Sequence, residues 1–290
     1  MYDMPHLRDA HDRYWTAIRD ALGHGPDTLT RDADPWTHWQ STDLFLSQTC
    51  GLPFRARLHD RVQLIGTPDY RLPDCPRGYY FSYLIQRRDD PRDLPTLARD
   101  GLFARNDPLS QSGWAAPLQF LQDRGLHPAR VIDSGAHLAS LRQVIDGTAD
   151  FAAIDAVTFH LWADHAPDYL PKIAATYRTD PTPGLPYITA LGTDPAPLAA
   201  AIRTAIRGMA HDDLVALRLN GLVQIDASEF RAIPVPDEIA VTLRHPRLSA
   251  RAQRLLTMDN TPVFRPYTSQ PATNGAPPMP STPIIKNTNQ

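Results

Sequence analysis

The chain has 290 residues, 42% hydrophobic and 21% charged, with a formal net charge of −3. That composition provides for a folded core of one large domain or two lobes and excludes wholesale disorder. The mildly acidic balance excludes an overall basic field for nucleic acid, no run approaches the roughly 18 apolar residues of a membrane span, and Cys50 and Cys75 are too few for a disulfide scaffold or a multi-cysteine zinc site. No metal and no cofactor are expected.

The opening Met1-Tyr2-Asp3-Met4-Pro5-His6-Leu7-Arg8-Asp9 is charged throughout and does not read as a secretory leader. His6 to Gly23 then reads as an amphipathic helix, with Leu7, Ala10, Tyr14, Trp15, Ile18 and Leu22 near one face. Gly23 can end it. Asp43 to Ser47 reads as a short buried strand running into the polar segment Ser47-Gln48-Thr49-Cys50-Gly51. Arg61 to Thr67 and Tyr79 to Gln86 read as two further strands.

The middle of the chain alternates. Leu102 to Arg105 is a predicted strand, followed by a turn and a helical segment to about Arg124. Ala129 to Ile132 is the next strand, then the turn Asp133-Ser134-Gly135 and a helix with Leu138, Leu141, Val144 and Ile145 on one face. Phe151 to Ile154 is a strand with Asp155 opening another helix. Strand–helix alternation of this kind predicts an α/β layer with parallel pairing. Tyr187 to Ala190 is a strand after Pro183-Gly184-Leu185-Pro186, and Asp194 to Met209 a helix with Asp194 as N-cap. After about Thr261 the chain is rich in Pro, Thr, Asn and Ser, which predicts a disordered tail.

Three strand-to-helix junctions carry the candidate chemistry. In Asn106 to Gly113, Ser110 and Ser112 are short hydroxyl donors at a helix start, and Gly113 lets backbone approach. Unpaired N–H groups and the helix dipole there suit an anion without any lysine. Simple capping is the plainer reading of the same serines. His137, just inside a helix start, can meet a ligand oxygen or serve as a partly buried histidine bonded to backbone. Asp155 stands at a strand's C-terminal end, where open α/β sheets bind ligands, or is an N-cap. The three junctions fall at one end of one predicted layer.

Read together and in order, Ser47-Gln48-Thr49-Cys50-Gly51, Tyr80-Phe81-Ser82, Asn106 to Gly113, Ser134-Gly135-Ala136-His137, Ala152-Ala153-Ile154-Asp155 and Pro183 to Thr189 resemble one family. It is the phosphate/phosphite/phosphonate-binding subunits of ABC importers (PhnD-like), matched over roughly residues 40–235. The resemblance implies a two-lobed type 2 periplasmic-binding-protein fold with crossing strands near Tyr80–Arg87 and Thr182–Ala190. Lobe one would be residues 1–82 plus 188–240, lobe two 83–187, and 241–290 a C-terminal extension. It implies a ligand site of Ser110, Gln111, Ser112, His137 and Asp155, approached by Thr49 and Tyr80. It also implies a monomer that binds without breaking bonds, partnered by a permease, with no nucleic-acid role. The family is periplasmic, whereas the opening residues point to the cytoplasm. Two departures stand out. Gln111 replaces a small hydroxyl, and only Tyr2-Asp3 remains of the first strand. Alternatives of other classes are an enzyme using Cys50, a thiamin-precursor protein on the same fold, and a cytoplasmic metabolite sensor.

Overall fold

A computed structural model describes residues 2–244. The tail expected after Thr261 lies outside the described residues. Eleven strands are present among the described residues: β1 (Ser47–Gln48), β2 (Val62–Asp69), β3 (Tyr79–Tyr80), β4 (Ser82–Arg87), β5 (Leu102–Arg105), β6 (Arg130–Asp133), β7 (Phe151–Asp155), β8 (Ile173–Arg178), β9 (Thr182–Pro183), β10 (Tyr187–Ala190) and β11 (Gly221–Val223). They form a sheet ordered β1-β10-β2-β11, a sheet ordered β6-β5-β7-β4-β8, and the isolated pair β3-β9.

The larger sheet positions the candidate site. Its strands β6, β5 and β7 are parallel, as strand–helix alternation predicts. All five residues of β7 are buried, which fits an apolar run covered on both faces. Strand β4 lies antiparallel between β7 and β8. It arrives directly from β3 with no helical crossover, so nothing turns it parallel to β7. The helices Gln111–Gln122, His137–Ile145 and Ala156–His165 follow β5, β6 and β7 respectively. They therefore all begin beyond the C-terminal ends of neighbouring parallel strands.

In the smaller sheet every pairing is antiparallel. The strand expected over Asp43–Ser47 reduces to Ser47–Gln48. Leu44 is buried, but its carbonyl accepts from both the Ala190 N–H and the Thr189 hydroxyl, which occupies the segment without extending the ladder. The first helix runs Arg8–Leu22 after a 3₁₀ turn Pro5–Leu7, and it buries Ala10, Tyr14, Trp15 and Ile18. Gly23 ends it in the left-handed conformation at φ 84°, which a glycine adopts without steric cost. The helix expected from Asp194 runs Ala196–Gly208, and the Asp194 carboxylate accepts from the Ala196 N–H.

The single strand expected over Tyr79–Gln86 is two strands. Tyr79 and Tyr80 pair with Pro183 and Thr182, whereas Ser82 onward joins the larger sheet opposite β7. Between them the Phe81 carbonyl accepts from the Ala156 N–H at 2.9 Å. The chain thus crosses between the sheets at a short two-stranded ribbon. Around that ribbon the two halves are pressed together. Ala156, Val157 and Leu161 join a core cluster with Tyr14, Ile202 and Leu217. Leu52 and Ile239 join the larger sheet's cluster around Phe103, Trp114 and Phe151.

Phe151 is fully buried, with its ring 4.9 Å from that of Phe103 in an edge-to-face pair. Phe151→Ala should cost about 3–5 kcal/mol of stability, the range for emptying an aromatic core position. Urea denaturation checks this, and a loss below about 1 kcal/mol would contradict a packed β7.

Candidate functional site

The site grows from the turn after β5. Ser110 has an extended backbone and caps the following helix, its hydroxyl accepting from the Gly113 N–H at 3.0 Å. Capping is therefore the role its side chain plays here. The helix opens with a wide π turn, Gln111–Ala115, before regular α-helix from Ala116. Gly113 has to be glycine. A Cβ there would lie 1.7 Å from Asn106 Oδ1 and 3.1 Å from His137 Cε1.

That close approach brings His137 onto Ser112. The Ser112 Oγ lies 2.9 Å from His137 Nε2, and His137 Nδ1 lies 3.1 Å from the Ala153 carbonyl oxygen. A carbonyl only accepts, so Nδ1 carries the proton of the neutral ring and Nε2 accepts from the Ser112 hydroxyl. Asp155 Oδ2 lies 3.4 Å from the same Nε2. Asp155 is 2% exposed and also caps the helix Ala156–His165, accepting from the Thr158 N–H at 2.9 Å and from the Thr158 hydroxyl. The helix-cap reading of Asp155 holds, and the same carboxylate lies beside His137.

Ser112, His137 and Asp155 are thus brought to one point from three separate turns. Thr49 and Tyr80 come from the other sheet and the ribbon. Thr49 is fully buried and its hydroxyl has no hydrogen-bond partner. The Tyr80 phenol lies 3.8 Å from Cys50 Sγ. Burial pushes Tyr80 well above the ordinary phenol value, with Cys50 and Asp155 adding to the shift. The Gln111 backbone N–H donates to Cys50 Sγ at 3.3 Å, and the residue lines a cleft with Arg55. Cys50 is a buried thiol whose pKa burial raises, the opposite of what a nucleophile needs.

Sequence reasoning missed Tyr2 and Tyr70. Burial raises both phenols, and Asp155 acts electrostatically on each. The Tyr2 hydroxyl is buried without a partner, and both rings line a small cavity of about 10 Å³ with Tyr14, Tyr187 and Leu161. No local motif marks them. Only the folding of the N-terminal segment against the other lobe brings Tyr2 to Asp155. No lysine or arginine among the described residues hydrogen-bonds to the Ser112, His137 or Asp155 side chains.

Two α/β lobes joined by a crossing ribbon are the fold of a type 2 periplasmic binding protein. Residues 41–230 match the family model of the ABC transporter phosphonate periplasmic substrate-binding protein, and the chain belongs to that family. It is a family of substrate-binding proteins, not enzymes. Among solved structures, the fold is similar to a binding-protein component of a Pseudomonas aeruginosa ABC phosphonate transporter. The TM-score is 0.60 and the identity 15%, over 87% of this chain and 94% of that one. PhnD1 from Prochlorococcus marinus in complex with methylphosphonate gives a TM-score of 0.62 at 15% identity, over 82% and 93%. A Xanthomonas citri protein bound to ATP gives 0.56 at 17% identity, over 82% and 95%. No curated protein sequence matches the chain.

Burial pushes the His137 imidazole below its ordinary value, with Asp155 and the Ala153 carbonyl pulling the other way. The folded state then holds fewer protons at this ring than the unfolded state. The associated stability is full above the unfolded value of about 6.5 and is lost as pH falls below it toward the folded value. His6, His11 and His160 are lowered as well. His137→Gln should therefore remove part of the acid loss of stability between roughly pH 6.5 and 5, read by denaturation at stepped pH. An identical pH slope in the variant would count against a buried neutral His137. Gly113→Ala should destabilise by about 1–3 kcal/mol through overpacking against Asn106 and His137.

Proposed function

We propose that this chain captures a small phosphate-like oxyanion, namely phosphate, phosphite or a phosphonate, and delivers it as a monomer to the permease of an ABC importer. The lobes divide at the β3–β9 ribbon, and the ligand sits where Ser112, His137 and Asp155 of one lobe meet Thr49 and Tyr80.

One observation carries this reading. His137 Nε2 and Asp155 Oδ2 stand 3.4 Å apart, both are acceptors when the ring is neutral, and Ser112 already gives its proton to the ring. Ser112 satisfies the ring and the Thr158 hydroxyl donates to Asp155 Oδ2, whose remaining lone-pair capacity is open to a further donor. A ligand bearing P–OH supplies one and accepts in return from hydroxyl and backbone N–H groups at the helix start. An ammonium on an aminophosphonate would serve Asp155 in the same way. Sulfate, fully ionised at neutral pH, brings no proton and meets an uncompensated carboxylate. Selectivity follows from this without any lysine.

Binding couples to lobe closure because donors come from both halves. A ligand touching both halves stabilises the closed arrangement by its differential affinity for it. Ala156 is already bonded to Phe81 at the crossing, so closure needs only rotation about the short ribbon. The enzyme reading of Cys50 has no support in its surroundings.

Calorimetry with phosphate, phosphite, methylphosphonate, aminoethylphosphonate and sulfate tests the proposal. At least one phosphorus ligand should bind ten-fold or more tighter than sulfate. Ser112→Ala should weaken that ligand by about ten-fold or more, since a buried acceptor is left unpaired. Sulfate bound as tightly as the best phosphorus ligand would overturn the reading.

A further inference from the structure

Arg55 has no part in the site above, yet it is the least compensated charge among the described residues. It sits in the π turn Phe54–Leu58 and is only 6% exposed. Its Nη2 donates to the Pro234 carbonyl at 3.1 Å, and Nε and Nη1 have no partner. Other partly buried arginines are paired. Arg31 meets Asp3 and Asp12, Arg92 meets Asp90 and Asp150, and Arg105 meets Asp133. The groups that act electrostatically on Arg55 are Cys50 and Tyr80. Burial raises both of those above their ordinary values, so at neutral pH neither carries a charge. Desolvation pushes the guanidinium down only to about 10, and it remains a cation.

A buried cation without a counter-charge is unfavourable unless something else supplies one. The space for it is present. Arg55 lines a cleft of about 80 Å³ together with Gln111, Gln119, Thr179 and Thr182. Asp123 and Asp180 stand exposed at the rim, where solvent screens them. The lining comes from three places: the first lobe (Arg55, Pro234), the helix after β5 (Gln111, Gln119), and the crossing strand (Thr179, Thr182).

We propose that this cleft is a second anion site, where the Arg55 guanidinium holds a small oxyanion at the junction of the lobes. The class is set by the donor: a fork of guanidinium N–H groups suits a sulfate, phosphate or carboxylate group. An anion held there ties both lobes to the crossing strand and favours the closed arrangement, so its occupancy adds to that of the primary ligand. The inference does not depend on what the Ser112 pocket binds.

Sulfate is the probe, because the Ser112 pocket is expected to disfavour it. Thermal unfolding and equilibrium dialysis are run with sodium sulfate against sodium chloride at matched ionic strength, on the wild type, Ser112→Ala, Arg55→Gln and Arg55→Lys. Wild type and Ser112→Ala should both bind one sulfate per chain and melt higher in sulfate. Arg55→Gln should bind at least ten-fold more weakly and lose the sulfate-dependent shift. In chloride it should melt no lower than wild type, since an uncompensated charge has gone. Arg55→Lys, which keeps the charge but not the fork, should give an intermediate affinity. Arg55→Gln retaining the wild-type sulfate response, or a wild type that takes up no sulfate, overturns the second site. Loss of sulfate uptake in Ser112→Ala with retention in Arg55→Gln overturns it too, and also contradicts the selectivity claimed for the primary pocket.

Discussion

The His137 ring is the hub on which the site depends. One nitrogen is fixed on the Ala153 carbonyl of β7, and the other faces Ser112 and Asp155. The ring therefore ties the turn after β5, the turn after β6 and the end of β7 into one rigid unit. It does so only because Gly113 leaves no Cβ between Asn106 and the imidazole. The parallel order β6-β5-β7 makes the arrangement available, since it delivers three successive helix starts to the same sheet edge.

In the proposed function, hydroxyls and helix-start N–H groups supply the partial positive charge, while the Asp155 carboxylate sets the condition that the guest bring a proton or an ammonium. Asp155 has its own helix and the Thr158 hydroxyl to hold it in place, so its orientation does not rely on a ligand. Gln111, next to Ser112 in the chain, donates its backbone N–H to Cys50 Sγ and lines the Arg55 cleft.

Much of the architecture was legible in the residues. Phe151 to Ile154 declared a buried strand by an unbroken apolar run, and the periodicity of Ala10, Tyr14, Trp15 and Ile18 declared a helix face. The elements that were misread are those whose ends are set by partners distant in sequence. The break at Phe81 exists because Tyr80 pairs with Thr182 while Ser82 pairs with Asp155, and nothing local in Tyr79 to Gln86 tells these apart. The shortened strand at Ser47 follows from Leu44 being engaged by Thr189 and Ala190.

The amino-acid order alone determined the helix starts, their capping residues and the candidate hydroxyl, imidazole and carboxylate, because these depend on local turns and on which side chains can hydrogen-bond nearby backbone. It also carried enough ordered motif to place the chain in its family. Tertiary structure decided which of those groups face one another. Packing of the two lobes placed Tyr2 and Tyr70 close enough to act electrostatically on Asp155 and buried Arg55 with no acidic partner among the described residues. Both depend on residues far apart in the chain, and complementarity at such separations has no signature in local spacing.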